Sequence, residues 1–198
     1  MSPKHENACG YRTCGEAKSP CCEADKEESC RNEGKKKALV EYLYLDLSTC
    51  DRCIGADAVL DDVMADLTPA LRLSGYETEV RKIEIASEEL AKAHRFYASP
   101  TIRVNGRDIC PALRENRCRC CGELSRTDID CRVFEYEGSL YEVPPKEMLA
   151  QAVLETLFGQ PAGGERGSYE MPDNLAAFFA GKRKKAAAVK AAAKEGKL

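Results

Sequence analysis

The chain has 198 residues, of which 43% are hydrophobic and 32% are charged, with a formal net charge of -3. This length allows one domain with tails, or two small domains. No run approaches the roughly 18 apolar residues of a membrane-spanning helix, and residues 1–37 lack the apolar stretch of a secretory signal. We therefore expect neither a membrane span nor export, and predict a cytoplasmic location.

The chain carries twelve cysteines, several times the usual frequency. The reducing cytoplasm makes a structural disulfide framework improbable, because the thiol pool keeps such bonds reduced. Cysteine at this density therefore indicates metal ligation or redox chemistry.

Composition divides the chain into three parts. Residues 1–37 are polar and cysteine-rich and predict a flexible arm. Residues 38–158 carry the regular periodicities of a folded domain, with a cysteine-rich insertion at 110–131. Residues 159–198 contain a Gly/Pro linker, a short amphipathic helix and a basic Ala/Lys tail, which from Gly181 onward has seven Lys or Arg residues against Glu195.

The periodicity of residues 38–158 predicts strands and helices in alternation. In chain order, the first elements are a strand at Ala38–Leu47, a helix from Cys50 to Leu67 with a kink or a new segment at Pro69, a strand at Glu77–Ile85 and a helix at Glu88–Tyr97. Ser48 and Thr49 offer cap oxygens to the first helix, and Ser87 to the second.

Two hairpins and a helix follow. Asn105-Gly106 lies between Thr101–Val104 and Asp108–Ile109 and is typical of a type I′ turn. Glu137-Gly138 lies between Arg132–Tyr136 and Ser139–Val143, and Pro145 opens a helix at Lys146–Phe158. The order β-α-β-α-β-β-α predicts an α/β fold with a mixed sheet flanked by helices.

Cys50-Asp51-Arg52-Cys53 follows the first strand at the predicted N-terminus of the first helix. Unpaired backbone N–H groups and the helix dipole stabilise a thiolate there, which lowers the pKa of the first cysteine. The second thiol is placed to attack a mixed disulfide formed on the first. Arg52 favours the thiolate and Asp51 opposes it. The pair can equally be half of a zinc site or two buried thiols.

A strand, a CxxC at a helix N-terminus, a βα unit and then Ser99-Pro100-Thr101 entering a hairpin together resemble the thioredoxin/glutaredoxin superfamily, and most of all small, cysteine-rich prokaryotic thioredoxin-like proteins. The resemblance implies a thioredoxin-like fold with a cis Pro100 packed beside the CxxC. It also implies thiol–disulfide exchange, with Cys50 attacking, Cys53 resolving and Pro100 shaping the substrate groove.

The insertion holds a second group of cysteines, namely Cys110, Cys118, Cys120, Cys121 and Cys131. Four thiolates at this density can enclose a tetrahedral Zn²⁺, and Cys118 and Cys121 have the spacing of one half of such a site. They can also form a thiol pair that exchanges electrons or metal with the CxxC. Vicinal thiols also capture soft ions such as Hg(II), As(III) or Cu(I).

A third group lies in the N-terminal arm and matches no zinc or iron–sulfur spacing. It consists of Cys9, Cys14, Cys21, Cys22 and Cys30. These residues either scavenge metal and pass it to the domain, or are incidental thiols on a flexible arm.

The first functional hypothesis is a thiol–disulfide oxidoreductase that needs no cofactor and acts on a protein or small-molecule disulfide or thiol. The alternative is a protein that binds or relays a soft metal ion (Zn, Hg, As or Cu) without turnover, which the surplus of cysteines favours. A membrane partner is not expected, and nucleic acid is favoured only by the basic tail.

Overall fold

A computed structural model of the chain describes residues 35–110, 112–159 and 168–195. The chain divides into two units, Met1–Gly34 and Lys35–Leu198, and the elements described here belong to the second. In chain order they are β1 (Lys36–Tyr44), α1 (Asp51–Leu73), β2 (Tyr76–Glu84), α2 (Glu88–Ala93), β3 (Thr101–Val104), β4 (Arg107–Asp108), β5 (Arg114–Arg117), α3 (Arg119–Ser125), β6 (Asp130–Tyr136), β7 (Ser139–Tyr141), α4 (Lys146–Phe158) and α5 (Asp173–Glu195).

The main sheet has four strands in the order β2-β1-β3-β4. Strand β1 pairs in parallel with β2 and antiparallel with β3, and β3 pairs antiparallel with β4. The parallel pairing of β1 with β2 follows from the crossover through α1, and the antiparallel pairing of β3 with β4 follows from the short turn between them. The predicted α/β fold with a mixed sheet flanked by helices is therefore confirmed.

Alternation along β1 directs its side chains into two hydrophobic clusters. The first cluster holds Val40 and Tyr42 together with residues of α1 and α4, such as Leu60 and Leu149. The second holds Leu43 with residues of α2, α3 and α5. Five cysteines belong to the second cluster, namely Cys50, Cys53, Cys118, Cys121 and Cys131. The thiols are thus part of the packed interior.

Both predicted hairpin turns are present. Asn105 and Gly106 have φ of 51° and 76°, and Glu137 and Gly138 have 49° and 78°, the left-handed values that a type I′ turn requires. The second hairpin, however, does not extend the main sheet. It forms a separate antiparallel sheet in the order β5-β6-β7, because the cysteine-rich insertion contributes the strand β5.

Helix α1 runs without a break through Pro69, where the sequence predicted a kink or a new segment. Proline removes one backbone donor and frees the carbonyl four residues earlier, at Ala65. Both Pro69 and Ala65 are exposed, so water can satisfy the freed carbonyl. Leu71, one turn from the C-terminus, is buried in the first cluster, which favours continuation of the helix.

The predicted short helix and basic tail form one helix, α5, up to Glu195. Its first half packs against α3 and buries Leu175, Phe178 and Phe179, whereas residues 186–193 are exposed. At Gly181 a Cβ would lie 2.1 Å from the Ser125 carbonyl oxygen, so glycine permits this close approach. No helix within the described ranges is long and apolar enough to cross a bilayer.

Candidate functional site

The CxxC lies at the N-terminus of α1, as the sequence predicted, but Ser48 and Thr49 do not cap this helix. Asp46 accepts the backbone N–H groups of Ser48 (2.9 Å) and Thr49 (2.6 Å) and so forms the turn between β1 and α1. This turn makes Cys50 itself the N-cap residue. Its Sγ therefore lies at the end of the helix, where it meets the insertion.

Three thiols from two distant segments meet at this point. Cys50 Sγ lies 3.9 Å from Cys118 Sγ and 3.8 Å from Cys121 Sγ, and all three Sγ atoms lie within 4.8 Å of one another. Cys118 is the N-cap of α3 and Cys121 lies in its first turn, so the N-termini of α1 and α3 face each other across the thiols. All three residues are buried.

Cys131, on β6, extends this group. Its Sγ lies 3.5 Å from that of Cys121, and the residue is fully buried. We call Cys50, Cys118, Cys121 and Cys131 the thiol cluster. Bonds of about 2.3 Å from zinc to sulfur place the corners of a tetrahedron about 3.8 Å apart. Three of the S–S spacings, Cys50–Cys118, Cys50–Cys121 and Cys121–Cys131, are close to that value. Cys50, Cys118 and Cys121 together can hold a metal ion.

The thiol cluster stabilises one thiolate. The pKa of Cys118 lies far below its usual range because the thiols of Cys121, Cys131 and Cys50 donate hydrogen bonds to its sulfur. The pKa values of Cys50, Cys121 and Cys131 are raised, chiefly by their hydrogen bonds with the Cys118 sulfur. For Cys50 this is opposite to the lowered pKa that its place at the helix N-terminus predicted. A cation at this point would replace the shared protons.

Cys53, the second cysteine of the CxxC, points toward the cis proline instead. Its Sγ lies 3.3 Å from Ser99 Oγ, and the Ser99–Pro100 peptide bond is cis, as the resemblance implied. The hydrogen bond from the Cys50 thiol, followed by that from Ser99, lowers the pKa of Cys53 to about 7 although burial opposes this. The Ser99 carbonyl oxygen accepts the backbone N–H of Arg132 at 2.8 Å, which connects this segment to β6.

Arg52, inside the CxxC, holds the insertion in place. Its buried guanidinium donates to the carbonyl oxygens of Arg117 (2.7 Å), Cys131 (3.2 Å) and Asn116 (3.4 Å). It also forms an ion pair with the exposed carboxylate of Glu142. The sequence suggested only a charge effect on the thiols. The structure shows a contact between α1 and the segments that carry Cys118 and Cys131.

The remaining predicted site residues lie apart from the thiol cluster. Cys110 belongs to the first hydrophobic cluster, where burial raises the pKa of its thiol to about 12. Cys120 is partly exposed, with its Sγ 3.8 Å from an Asp51 carboxylate oxygen. The N-terminal candidates lie outside the described residues: Cys9, Cys14, Cys21, Cys22 and Cys30.

The sequence did not predict that Cys50 would join Cys118 and Cys121. One sequence feature could have indicated this contact. Cys118-x-x-Cys121 has no second CxxC inside the insertion to complete a four-cysteine site, and the domain contains another CxxC at Cys50 and Cys53. Of the sequence interpretations, the one in which Cys50 and Cys53 form half of a zinc site is the most similar to the observed arrangement, although only Cys50 faces the other thiols.

Fold and site together define a small α/β protein with a mixed sheet and a buried cysteine cluster. Residues 39–153 match the family described as "Domain of unknown function (DUF2703)". Because this match covers more than half of the chain, the chain belongs to that family. The matched region contains all the cysteines of the thiol cluster. No curated protein and no solved structure matches the chain.

Proposed function

We propose that this protein binds one soft metal ion through the thiol cluster. The observation that carries the proposal is the mutual approach of Cys50, Cys118 and Cys121 within 4.8 Å, with Cys131 next to Cys121 as the fourth ligand. Thiolates select Zn²⁺, Cu(I) and similar soft ions. A closed set of four protein thiolates is typical of a site that keeps its ion, since a catalytic zinc site leaves one position open.

Burial supports this proposal. A thiolate removed from water is costly unless a positive charge compensates it, and all four cluster cysteines are buried. A bound cation offsets that cost, and its own binding requires loss of the protons on Cys50, Cys121 and Cys131. Affinity for the ion therefore rises with pH.

Native mass spectrometry of the anaerobically purified chain tests this proposal. In the full-length variant with serine at all five N-terminal cysteines, we expect one Zn²⁺ per chain. Removing it with a chelator should lower the midpoint of thermal unfolding by roughly 5–15 °C, because the ion binds only the folded state. If the unaltered chain binds metal ions but the variant without the five N-terminal cysteines binds none, the proposal is contradicted.

A second function has its own observation in favour: Cys53 Sγ lies 3.3 Å from Ser99 Oγ, in the Ser99-Pro100-Thr101 segment that enters β3. We propose that the sheet order β2-β1-β3-β4, the CxxC at the start of α1 and this proline make the domain thioredoxin-like. In the metal-free state Cys50 would attack a disulfide after giving up the proton that its raised pKa retains, and Cys53 would release the product by forming the Cys50–Cys53 disulfide. The reduced substrate thiols would take up the two protons. Because Cys50 is buried under the insertion, a small disulfide is the substrate that fits.

Turnover with oxidised glutathione on the metal-free chain tests the second function. Cys50→Ser should abolish turnover, and Cys53→Ser should accumulate a mixed disulfide on Cys50, because the resolving thiol is gone. Peptide mapping locates the adduct, and Cys110→Ser is the control, since that thiol lies in the other hydrophobic cluster. Wild-type turnover in Cys50→Ser would refute the mechanism.

A further inference from the structure

A surface cavity of about 640 Å³ opens beside the thiol cluster. It is lined by Arg117, Cys118, Arg119, Gly122, Glu123, Arg126, Thr127 and Asp128, and we call it the Cys118 cleft. Its volume lies within the range of small-molecule sites. Cys118 is the only member of the thiol cluster among these lining residues. The cleft therefore gives the outside a direct route to one ligand of the proposed metal site.

The charges of the cleft favour an anion. Three guanidinium groups face two carboxylates, and two of these guanidiniums are already paired. Arg117 contacts Asp128 at 2.8 Å, and Arg119 contacts Glu123 at 3.5 Å. Arg126 forms no hydrogen bond or ion pair within the part of the chain that the structure describes. The cleft thus carries one uncompensated positive charge on an exposed side chain.

The chemistry of Cys118 complements this charge. A metal held by thiolates leaves such a site by ligand exchange, in which an incoming thiolate binds the metal as one protein thiolate departs. Cys118 is the residue of the thiol cluster that lines the opening. In this step the new metal–sulfur bond replaces the metal–Cys118 bond, the proton of the incoming thiol passes to Cys118 Sγ, and no electrons are transferred.

We propose that the Cys118 cleft binds a small anionic thiol, one that carries a carboxylate, which exchanges the metal ion at Cys118. The exchange step rests on the proposed metal-binding function, whereas recognition of the anion does not. The carboxylate pairs with Arg126, and the thiol sulfur approaches Cys118. The bound species is a low-molecular-weight thiol, because the cleft volume admits one small molecule and Cys118 itself is only 2% exposed.

Alkylation of the metal-free chain tests recognition of the anion without any metal. Iodoacetate is anionic and iodoacetamide is its neutral counterpart, so the ratio of their rates at one cysteine reports the local preference for an anion. Peptide mass spectrometry gives this ratio at Cys118 in the unaltered chain and in Arg126→Gln. We expect the ratio at Cys118 to be about threefold lower in Arg126→Gln. Glutamine keeps the Cβ, so the left-handed backbone at this position (φ 58°) is equally strained in both proteins.

Arg114→Gln is the control for net charge, because it removes the same charge from an exposed side chain on β5 that pairs with Glu135 and does not line the cleft. An unchanged ratio at Cys118 in Arg126→Gln would overturn the proposal. The same fall in Arg114→Gln as in Arg126→Gln would overturn it too, since net charge would then explain the preference.

Zinc release from the loaded chain tests the exchange step. Zinc release is followed with a colorimetric indicator at equal thiolate concentration of mercaptosuccinate and of the cationic thiol cysteamine. Mercaptosuccinate should release zinc faster than cysteamine, and the ratio of the two rates should be about threefold higher in the unaltered chain than in Arg126→Gln. Slower release in Cys120→Ser would place the entrance at Cys120 and overturn the proposal. If the alkylation preference is present but the chain holds no zinc, the proposed metal binding fails while the anion site stands.

Discussion

Replacing Cys50 with serine should remove the zinc site, whereas replacing Cys53 with serine should preserve it. Cys50 Sγ lies 3.8–3.9 Å from Cys118 and Cys121, and Cys53 Sγ lies beside Ser99. Loss of a ligand should weaken zinc binding by more than the roughly 10–100-fold that loss of an outer-shell neighbour costs. The two variants, Cys50→Ser and Cys53→Ser, therefore distinguish two cysteines that the CxxC pattern treats as equivalent.

Competition with a chelator of known zinc affinity measures both variants, on full-length chains with serine at the five N-terminal cysteines. Cys110→Ser is the control for loss of a buried thiol, and circular dichroism checks that each variant is folded. Equal losses in Cys50→Ser and Cys53→Ser would show that the CxxC binds zinc as a pair. Unchanged affinity in Cys50→Ser would remove Cys50 from the site.

The same shared cysteine connects the two proposed functions. A Cys50–Cys53 disulfide would use the thiolate that the metal needs, so the oxidised protein cannot hold the complete ligand set. Metal binding and dithiol exchange therefore exclude each other in one molecule. The redox experiments require metal-free protein for this reason, and the zinc experiments require reduced protein.

Local signals predicted most of the main sheet. Asn105-Gly106 indicated a hairpin because its two residues tolerate positive φ, and Ser87 indicated a helix start, which its hydroxyl caps at Leu90 N. The apolar and polar alternation of Ala38–Leu47 indicated a strand. Each of these signals depends on residues within a few positions of one another, so the sequence displays it directly.

The thiol cluster could not be predicted in the same way. Cys50 and Cys118 are separated by 68 positions, and their approach depends on where the insertion folds relative to α1. That placement depends on a second sheet whose strand β5 has the polar sequence Arg114–Arg117, every residue of which is exposed. Such a strand has no apolar alternation to reveal it. Its position follows from pairing with β6 and from contact with Arg52.

Arg52 is consequently a residue on which both the insertion and the metal site should depend. Its guanidinium is nearly buried and satisfies three backbone carbonyl groups of β5 and β6, and its ion pair with Glu142 lies at the surface. Arg52→Met keeps much of the aliphatic volume and removes every donor. The Cys131 carbonyl is buried, and a buried carbonyl left without a partner costs about 1–3 kcal/mol. Glu142→Gln, by contrast, should cost about 1 kcal/mol or less, since its carboxylate is exposed.

We expect Arg52→Met to lower the free energy of unfolding of the metal-free chain by about 1–3 kcal/mol, and to weaken zinc binding at least tenfold, as loss of an outer-shell support does. Linkage then requires that zinc raise the unfolding midpoint of Arg52→Met less than that of the unaltered chain. Urea unfolding with and without zinc measures both quantities, with Glu142→Gln as the control. A destabilised Arg52→Met that binds zinc with unchanged affinity would show that the arginine supports the fold alone. Unchanged stability would mean that the thiol cluster assembles without it.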